Sequence, residues 1–345
     1  MHVAPPSNQP LVSVIMPAFD AQDTIIEALV SVREGGIGSD DLQIVVVDDG
    51  STTPLRDVLA RSPEAAGVEL ITLPFNHGVA TAGNVALRQA KGRYVARMDA
   101  DDISLPGRLA RQIAFLEARP DLAFCGTQAQ LFGEADGWGR DGKVPTSKQS
   151  CIAALPIMCP FYNPSVVFHR ARCGSSLFYD PGMMTSDDYE LWVRLFENGK
   201  LGENLDWAGI KYRIHPDQMT SRLRAKFVVD DVRIKARALA KILQDDGGLE
   251  HLAIAVVLAL QTGMRKKLGY RSAIRDLLQR AMAMPEYRAE WSITRDTLLR
   301  NFAAVQAEQS VSTTNLVAEL VLWFGRMTAD ARAGAERTVH FQPGG

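Results

Sequence analysis

Three aspartates, Asp99, Asp101 and Asp102, form a D-x-D-D run directly after a short β-rich stretch, Tyr94–Met98. Carboxylates held this close repel one another unless a cation sits among them. A hard divalent ion with oxygen ligands relieves that repulsion, and Mg2+ characteristically joins one or two carboxylates to substrate phosphates. The plainer alternative is an acidic turn that caps the helix starting at Pro106. A second acidic pair, Asp48-Asp49, is followed by Gly50-Ser51. Gly50 permits a sharp turn, and Ser51 or Thr52 can cap the helix that follows. The functional alternative is a carboxylate that accepts hydrogen bonds from a base or a ribose. A third pair, Asp187-Asp188, follows Thr185-Ser186. It fits a cap at the positive end of a helix, or a general base that takes a proton from an attacking hydroxyl. Farther on, Tyr212-Arg213-Ile214-His215-Pro216 reads either as a loop around a buried histidine or as a place where Arg213 and His215 meet a diphosphate.

These groups need a frame that gathers them. Strands are expected at Leu11–Met16, Ile44–Val47, Val68–Leu73, Tyr94–Met98 and Ser165–His169, from their β-branched and apolar content. Helices are expected at Thr24–Arg33, Gly78–Ala90, Pro106–Leu116 and Asp188–Phe196, from apolar positions spaced three and four apart. Residues 127–165, with several Gly and Pro, read as irregular. The alternation of strand and helix predicts an α/β fold with a mostly parallel sheet and helices on both faces. Ligands bind such sheets at the carboxyl ends of the strands. Pro17-Ala18-Phe19-Asp20, Asp48-Asp49-Gly50-Ser51, Asn76-His77-Gly78 and Asp99-Ala100-Asp101-Asp102 all follow strands.

The chain has 345 residues, 46% of them hydrophobic, enough for a real core. Its net charge of −2 excludes a general binder of nucleic acid, which needs a basic excess against phosphate. The charge is unevenly spread: residues 1–221 sum to −8 and residues 222–345 to +6. The pattern also turns continuously helical after about Arg222, so two regions with different roles are expected. No G-x-G-x-x-G follows the first strand, which disfavours a nicotinamide-dependent dehydrogenase. P-loop and G-x-S-x-G signatures are absent. Cys125, Cys151, Cys159 and Cys173 lack zinc spacing and are expected to be reduced thiols. The first residues lack signal-peptide character, and the longest apolar run, Leu252–Leu260, is far short of a bilayer span. The expectation is a cytoplasmic protein, with peripheral attachment to the inner face of the plasma membrane left open.

Taken in order, VSVIMPAFDAQDTIIEALVSV, IVVVDDGST, NHGVATAGNVAL, YVARMDADDISLPGRLARQIAFLEARPDLAFCGT, NPSVVFHR, SDDYELWVRL and YRIHPDQMT resemble the family 2 glycosyltransferases of the GT-A fold. The resemblance covers roughly residues 10–221. It implies a GT-A catalytic domain over 1–221, followed by a helical C-terminal region over 222–345. It also implies a nucleoside diphosphate sugar donor, often UDP-linked, a saccharide or lipid-linked acceptor, and a Mn2+ or Mg2+ cofactor. By the same resemblance, Pro17, Ala18 and Phe19 line the nucleoside pocket, Asp49 meets the base and Asp99 the ribose, with Asn84 and Arg213 also on the donor side. Asp101 holds the metal, His215 assists it, and Asp188 is the catalytic base, with Asp187 as second candidate. One carboxylate base suits a single displacement with inversion.

Four positions depart from the family pattern. Phe19-Asp20 stands for Tyr-Asn, Gly83 for the Arg before Asn84, and Asp187 for Glu. Two other classes compete with the enzyme reading. One is a catalytically silent sugar-nucleotide-binding or scaffold protein on the same fold; the intact acids at 99, 101 and 188 count against it. The other is a nucleotidyltransferase, whose Gly-rich basic loop after the first strand is missing. The basic stretch Arg222–Lys241 and the apolar Leu316–Phe324 segment read either as a packed helical subdomain or as a surface that meets an anionic membrane.

Overall fold

The structure is a computed structural model that describes residues 9–133, 143–155, 158–183 and 185–215, with Asp230 and five positions between 234 and 241. Apart from those positions, the helices expected over 222–345 lie outside the described residues. The chain divides into two compact units, Met1–Cys151 with Cys159–Asp231, and Ile152–Met158 with Val232–Gly345. The first unit carries the whole described sheet.

Four parallel strands form one half of that sheet: β1 (Val12–Ala18), β2 (Leu42–Asp48), β3 (Val68–Thr72) and β4 (Tyr94–Arg97), in the order β3-β2-β1-β4. Between them run α1 (Ile25–Arg33), α2 (Leu55–Ala60) and α3 (Val79–Gln89). Every residue of β1 is buried, as a strand covered on both faces requires. Alternate side chains therefore enter two separate layers. Val12, Val14, Met16, Ile44 and Val46 share a core with Ile25, Leu29 and Val32 of α1 and Leu55 of α2. The opposite face, with Ile15, Val45 and Val47, is covered by α3, whose Ala82, Gly83 and Ala86 allow close approach.

The second half is mixed. After β4 come β5 (Ile103–Ser104), α4 (Arg108–Ala118), β6 (Phe124–Gly133), α5 (Lys148–Ala154), β7 (Val167–His169), α6 (Arg170–Cys173), α7 (Asp187–Glu197) and β8 (Gly202–Ile214). The eight strands run β3-β2-β1-β4-β7-β6-β8-β5. β7 is antiparallel to β4 and β6, β8 is parallel to β6, and β5 is antiparallel to β8.

Two expectations are corrected here. Residues 127–165 are not irregular throughout, since β6 continues to Gly133 and α5 forms over Lys148–Ala154. Tyr212–Ile214 is not loop but the end of β8. Both strands escaped the alternation test because their register shifts between Thr127 and Ala129, which breaks the period-two pattern. The pairing of β5 with β8 brings Lys211 opposite Ile103, so the end of β8 lies beside the D-x-D-D turn. Trp192 anchors α7 from below, with the rings of Phe124, Phe161 and Phe168 at 5.4, 5.3 and 5.8 Å.

Candidate active site

The two acids at the end of β2, both buried, hold different parts of the main chain. The carboxylate of Asp48, fully buried, accepts from the N–H groups of Ser51 (3.0 Å) and Leu55 (3.1 Å). It is thus the capping acid for the turn and the start of α2. Ser51 and Thr52 do not cap that helix. They bond Asp20 instead: the Asp20 N–H donates to the Ser51 hydroxyl (2.9 Å), and the Asp20 carboxylate accepts from the Thr52 N–H (2.7 Å). Asp20 has a φ of +51°, a region that Asn and Asp tolerate best among residues with a side chain. The Asp at this position therefore keeps the conformational property of the Asn expected by resemblance. Gly50, at φ +72°, passes so close to the main chain of Phe75 that a Cβ would collide with it at 2.4 Å.

Asp49 holds the N–H groups of His77 (2.9 Å) and Gly78 (2.8 Å), one on each carboxylate oxygen. Burial raises its pKa against the lowering pull of those two bonds. Pro17 and Ala18 close β1 opposite Val47 and Asp48, and Phe19 beyond them is half exposed. Phe75, also exposed, stacks on His77 at 4.1 Å.

The D-x-D-D turn does not cap α4, because β5 intervenes. Asp99, Asp101 and Asp102 each offer one oxygen, all within 4.8 Å of one another. Asp102 is buried and accepts the Arg213 N–H at 2.8 Å, while its second oxygen has no protein partner. Burial, with repulsion from Asp99 and Asp101, pushes its pKa well up. The Asp101 carboxylate lies 3.1 Å from Nε2 of His215. Arg213 donates to the Asp101 carbonyl (2.7 Å) and to Glu27 (2.7 Å), and lies over the Phe132 ring. A set of carboxylate oxygens with one imidazole at its edge fits a hard divalent cation.

Asp187 and Asp188 open α7 after Ser186, which takes a left-handed φ of +56° and makes no side-chain cap. Asp188 is partly exposed; its carboxylate accepts the Tyr189 N–H at 2.8 Å and lies 3.9 Å from the Cys159 sulfur. Burial chiefly pushes its pKa up to about 6, with Asp99 adding repulsion. Asp187 is more deeply placed, and burial followed by repulsion from Asp188 pushes it up to about 7. The expected site residues on β4, α7 and β8 thus come together at one edge. Asn84 has another engagement. Its amide donates to the Tyr179 carbonyl (2.6 Å) and accepts the Tyr179 N–H (2.8 Å).

Two residues central to the site were not singled out from sequence. Arg97, the last residue of β4, is 2% exposed and pairs with Asp99 at 2.5 Å. An arginine inside an otherwise apolar strand two residues before an acid run was the available signal. Tyr212 is the other: burial chiefly, with the fields of Asp99, Asp102, Asp101 and Asp188, raises its phenol pKa well above the usual range. All four cysteines are reduced thiols, as expected.

Residues 13–168 match the family described as Glycosyl transferase family 2. The amylovoran biosynthesis glycosyltransferase AmsE of Erwinia amylovora is 26% identical over 230 residues, covering 66% of this chain and 85% of that relative. The UDP-Glc:alpha-D-GlcNAc-diphosphoundecaprenol beta-1,3-glucosyltransferase WfaP of Escherichia coli is 25% identical over 233 residues, covering 66% and 88%. Among solved structures, S. aureus TarS 1-349 in complex with UDP-GlcNAc is similar in fold, with a TM-score of 0.58 at 18% identity over 85% of this chain and 88% of that one. The ordered motifs and these matches agree that residues 13–168 carry a Glycosyl transferase family 2 domain, on a fold similar to that of TarS.

Proposed function

We propose that this enzyme moves a sugar from a UDP-linked donor to a hydroxyl of a saccharide or lipid-linked acceptor, with inversion at the anomeric carbon, in surface polysaccharide synthesis. One observation carries the reading. The carboxylates after β4 and those opening α7 sit close enough that Asp99 acts electrostatically on both Asp187 and Asp188. That supplies a leaving-group side and an attacking side for one displacement. The choice of donor and acceptor class draws support from WfaP, named for UDP-Glc and a diphosphoundecaprenol-linked substrate, and from TarS, solved with UDP-GlcNAc. The polysaccharide role draws support from AmsE, named for amylovoran biosynthesis.

In this reading Asp101 holds Mn2+ or Mg2+, with His215 beside it at 3.1 Å. When bound, the ion supplies positive charge against the diphosphate that departs. Asp49 keeps lone pairs for a base N–H after accepting two main-chain bonds. Pro17, Ala18 and Phe19 line the nucleoside pocket, Asp99 meets the ribose, and Asn84 and Arg213 stand on the donor side. Asp188 takes the proton of the acceptor hydroxyl; a carboxylate at about 6 is charged at neutral pH yet more basic than usual. Asp187 is the second candidate. Residues 1–221 form the catalytic domain. The basic excess of residues 222–345 suits contact with an anionic membrane on its cytoplasmic side.

The test is release of nucleoside diphosphate from a panel of sugar nucleotides, with Mn2+, Mg2+ or EDTA. Slow hydrolysis of a UDP-sugar, abolished by EDTA and by Asp101→Ala, is the expected result. Thermal stabilisation by UDP without turnover, even with polyprenyl-diphosphate saccharides added, would favour a binding protein. A folded sample that neither binds nor turns over any donor overturns the reading.

A further inference from the structure

Arg97 is the buried cation nearest the reacting groups, and its surroundings are unusual for a strand residue. Its side chain is 2% exposed. One guanidinium nitrogen pairs with Asp99 Oδ1 at 2.5 Å, and another donates to the Met98 carbonyl. Tyr179, itself buried, and Asp187 also act electrostatically on this guanidinium. Arg97 is therefore directly paired with Asp99 and within the field of Asp187. Its main chain is fixed by the Arg97 N–H bond to Val166 (2.9 Å) and by the acceptance at its carbonyl of an Arg108 donor (3.2 Å). Five aspartates at one sheet edge, 99, 101, 102, 187 and 188, would repel one another strongly in the absence of a cation. Here a planar guanidinium with five donors can bond several oxygens at once.

We propose that Arg97 is a positioning residue that serves as the built-in counter-ion of the site, holding Asp99 in place and offsetting the neighbouring acids before any divalent ion binds. The proposal rests on the reading of the D-x-D-D turn as a metal site. It makes a prediction that general structural damage does not. Removal of the internal charge leaves the carboxylates under-compensated, so an external cation binds more tightly even as catalysis fails. A residue that merely filled space would weaken both.

The experiment uses the full chain and Mn2+ alone as the probe. Melting temperature is followed as Mn2+ is titrated into EDTA-stripped wild type, Arg97→Gln and Arg97→Lys. Arg97→Gln is expected to melt lower than wild type without metal and to reach half of its Mn2+-induced shift at a concentration at least threefold lower. Arg97→Lys, which keeps the charge, is expected to return that midpoint to within twofold of wild type. In parallel, Arg97→Gln is expected to lose at least thirtyfold in kcat for donor hydrolysis, with the donor KM within threefold. A Mn2+ midpoint in Arg97→Gln equal to or higher than wild type overturns the proposal. If Arg97→Gln does not fold, Arg97→Lys decides: a midpoint more than threefold from wild type, or failure to fold, overturns it. Because the midpoints are read without turnover, a wild type that transfers no sugar would sink the functional reading and leave this test standing.

Discussion

A Cβ at residue 83 would lie 3.0 Å from the ring of Tyr179, so that tyrosine occupies the space that a side chain on Gly83 would need. Asn84 grips the Tyr179 main chain at both its N–H and its carbonyl, and Arg194 of α7 bonds the carbonyls of Ser176 and Phe178, both at 2.5 Å. The space beside Gly83, where the family pattern has an arginine, is thus filled here by Tyr179. Gly83→Arg is expected to destabilise the protein by about 1–3 kcal/mol, the usual cost of overpacking a filled site. Adding Tyr179→Ala should recover part of that loss. Chemical denaturation of the two single variants and the double variant checks it; additive losses would show that the two residues do not share this space.

Asp188→Asn is expected to lower kcat by about 10²–10⁴-fold, the range for loss of a general base, with donor KM nearly unchanged. Asp187→Asn, at a position only 7% exposed, should retain the larger part of kcat. Steady-state kinetics of both variants decides the assignment, and the reverse order would transfer the base to Asp187.

The pH profile follows from the same pair. Burial disfavours the charged carboxylates, with added repulsion from Asp99 on Asp188 and from Asp188 on Asp187, which raises Asp188 to about 6 and Asp187 to about 7. A general base works only when deprotonated, so kcat should rise with pH through this window. Below it, kcat should fall by about tenfold per pH unit, the slope for one required deprotonation. A profile flat from pH 5 to 8 would exclude a carboxylate of raised pKa from the rate-limiting step.

Sedimentation with vesicles tests the membrane proposal. The +6 charge of residues 222–345 predicts binding to anionic vesicles at low salt and release as salt shortens the reach of the charges, about 10 Å at 0.1 M. Equal recovery with neutral and anionic vesicles would rule it out.

Much of this protein was legible in one dimension because its determinants are local. The β-branched run at Val12–Met16 and the unbroken apolar run at Ile44–Val47 required strands, the second buried on both faces, and parallel strands must end at one edge. The acids after those strands were therefore gathered by topology alone, and Asp101 and His215, 114 residues apart, do meet at 3.1 Å. Other features depend on long-range pairing. The β6–β8 ladder is interrupted by a register shift, so its strands carry no clean alternation to read. Which member of an acidic pair serves structure was also undecided in sequence, since Asp48 and Asp49 are adjacent and chemically identical. Strand alternation sends them in different directions, Asp48 to the α2 turn and Asp49 to the main chain of His77 and Gly78. The role of Arg97 belongs to tertiary structure entirely. Asp99, which it pairs with, and Asp187, whose charge also acts on it, are 88 residues apart in the chain.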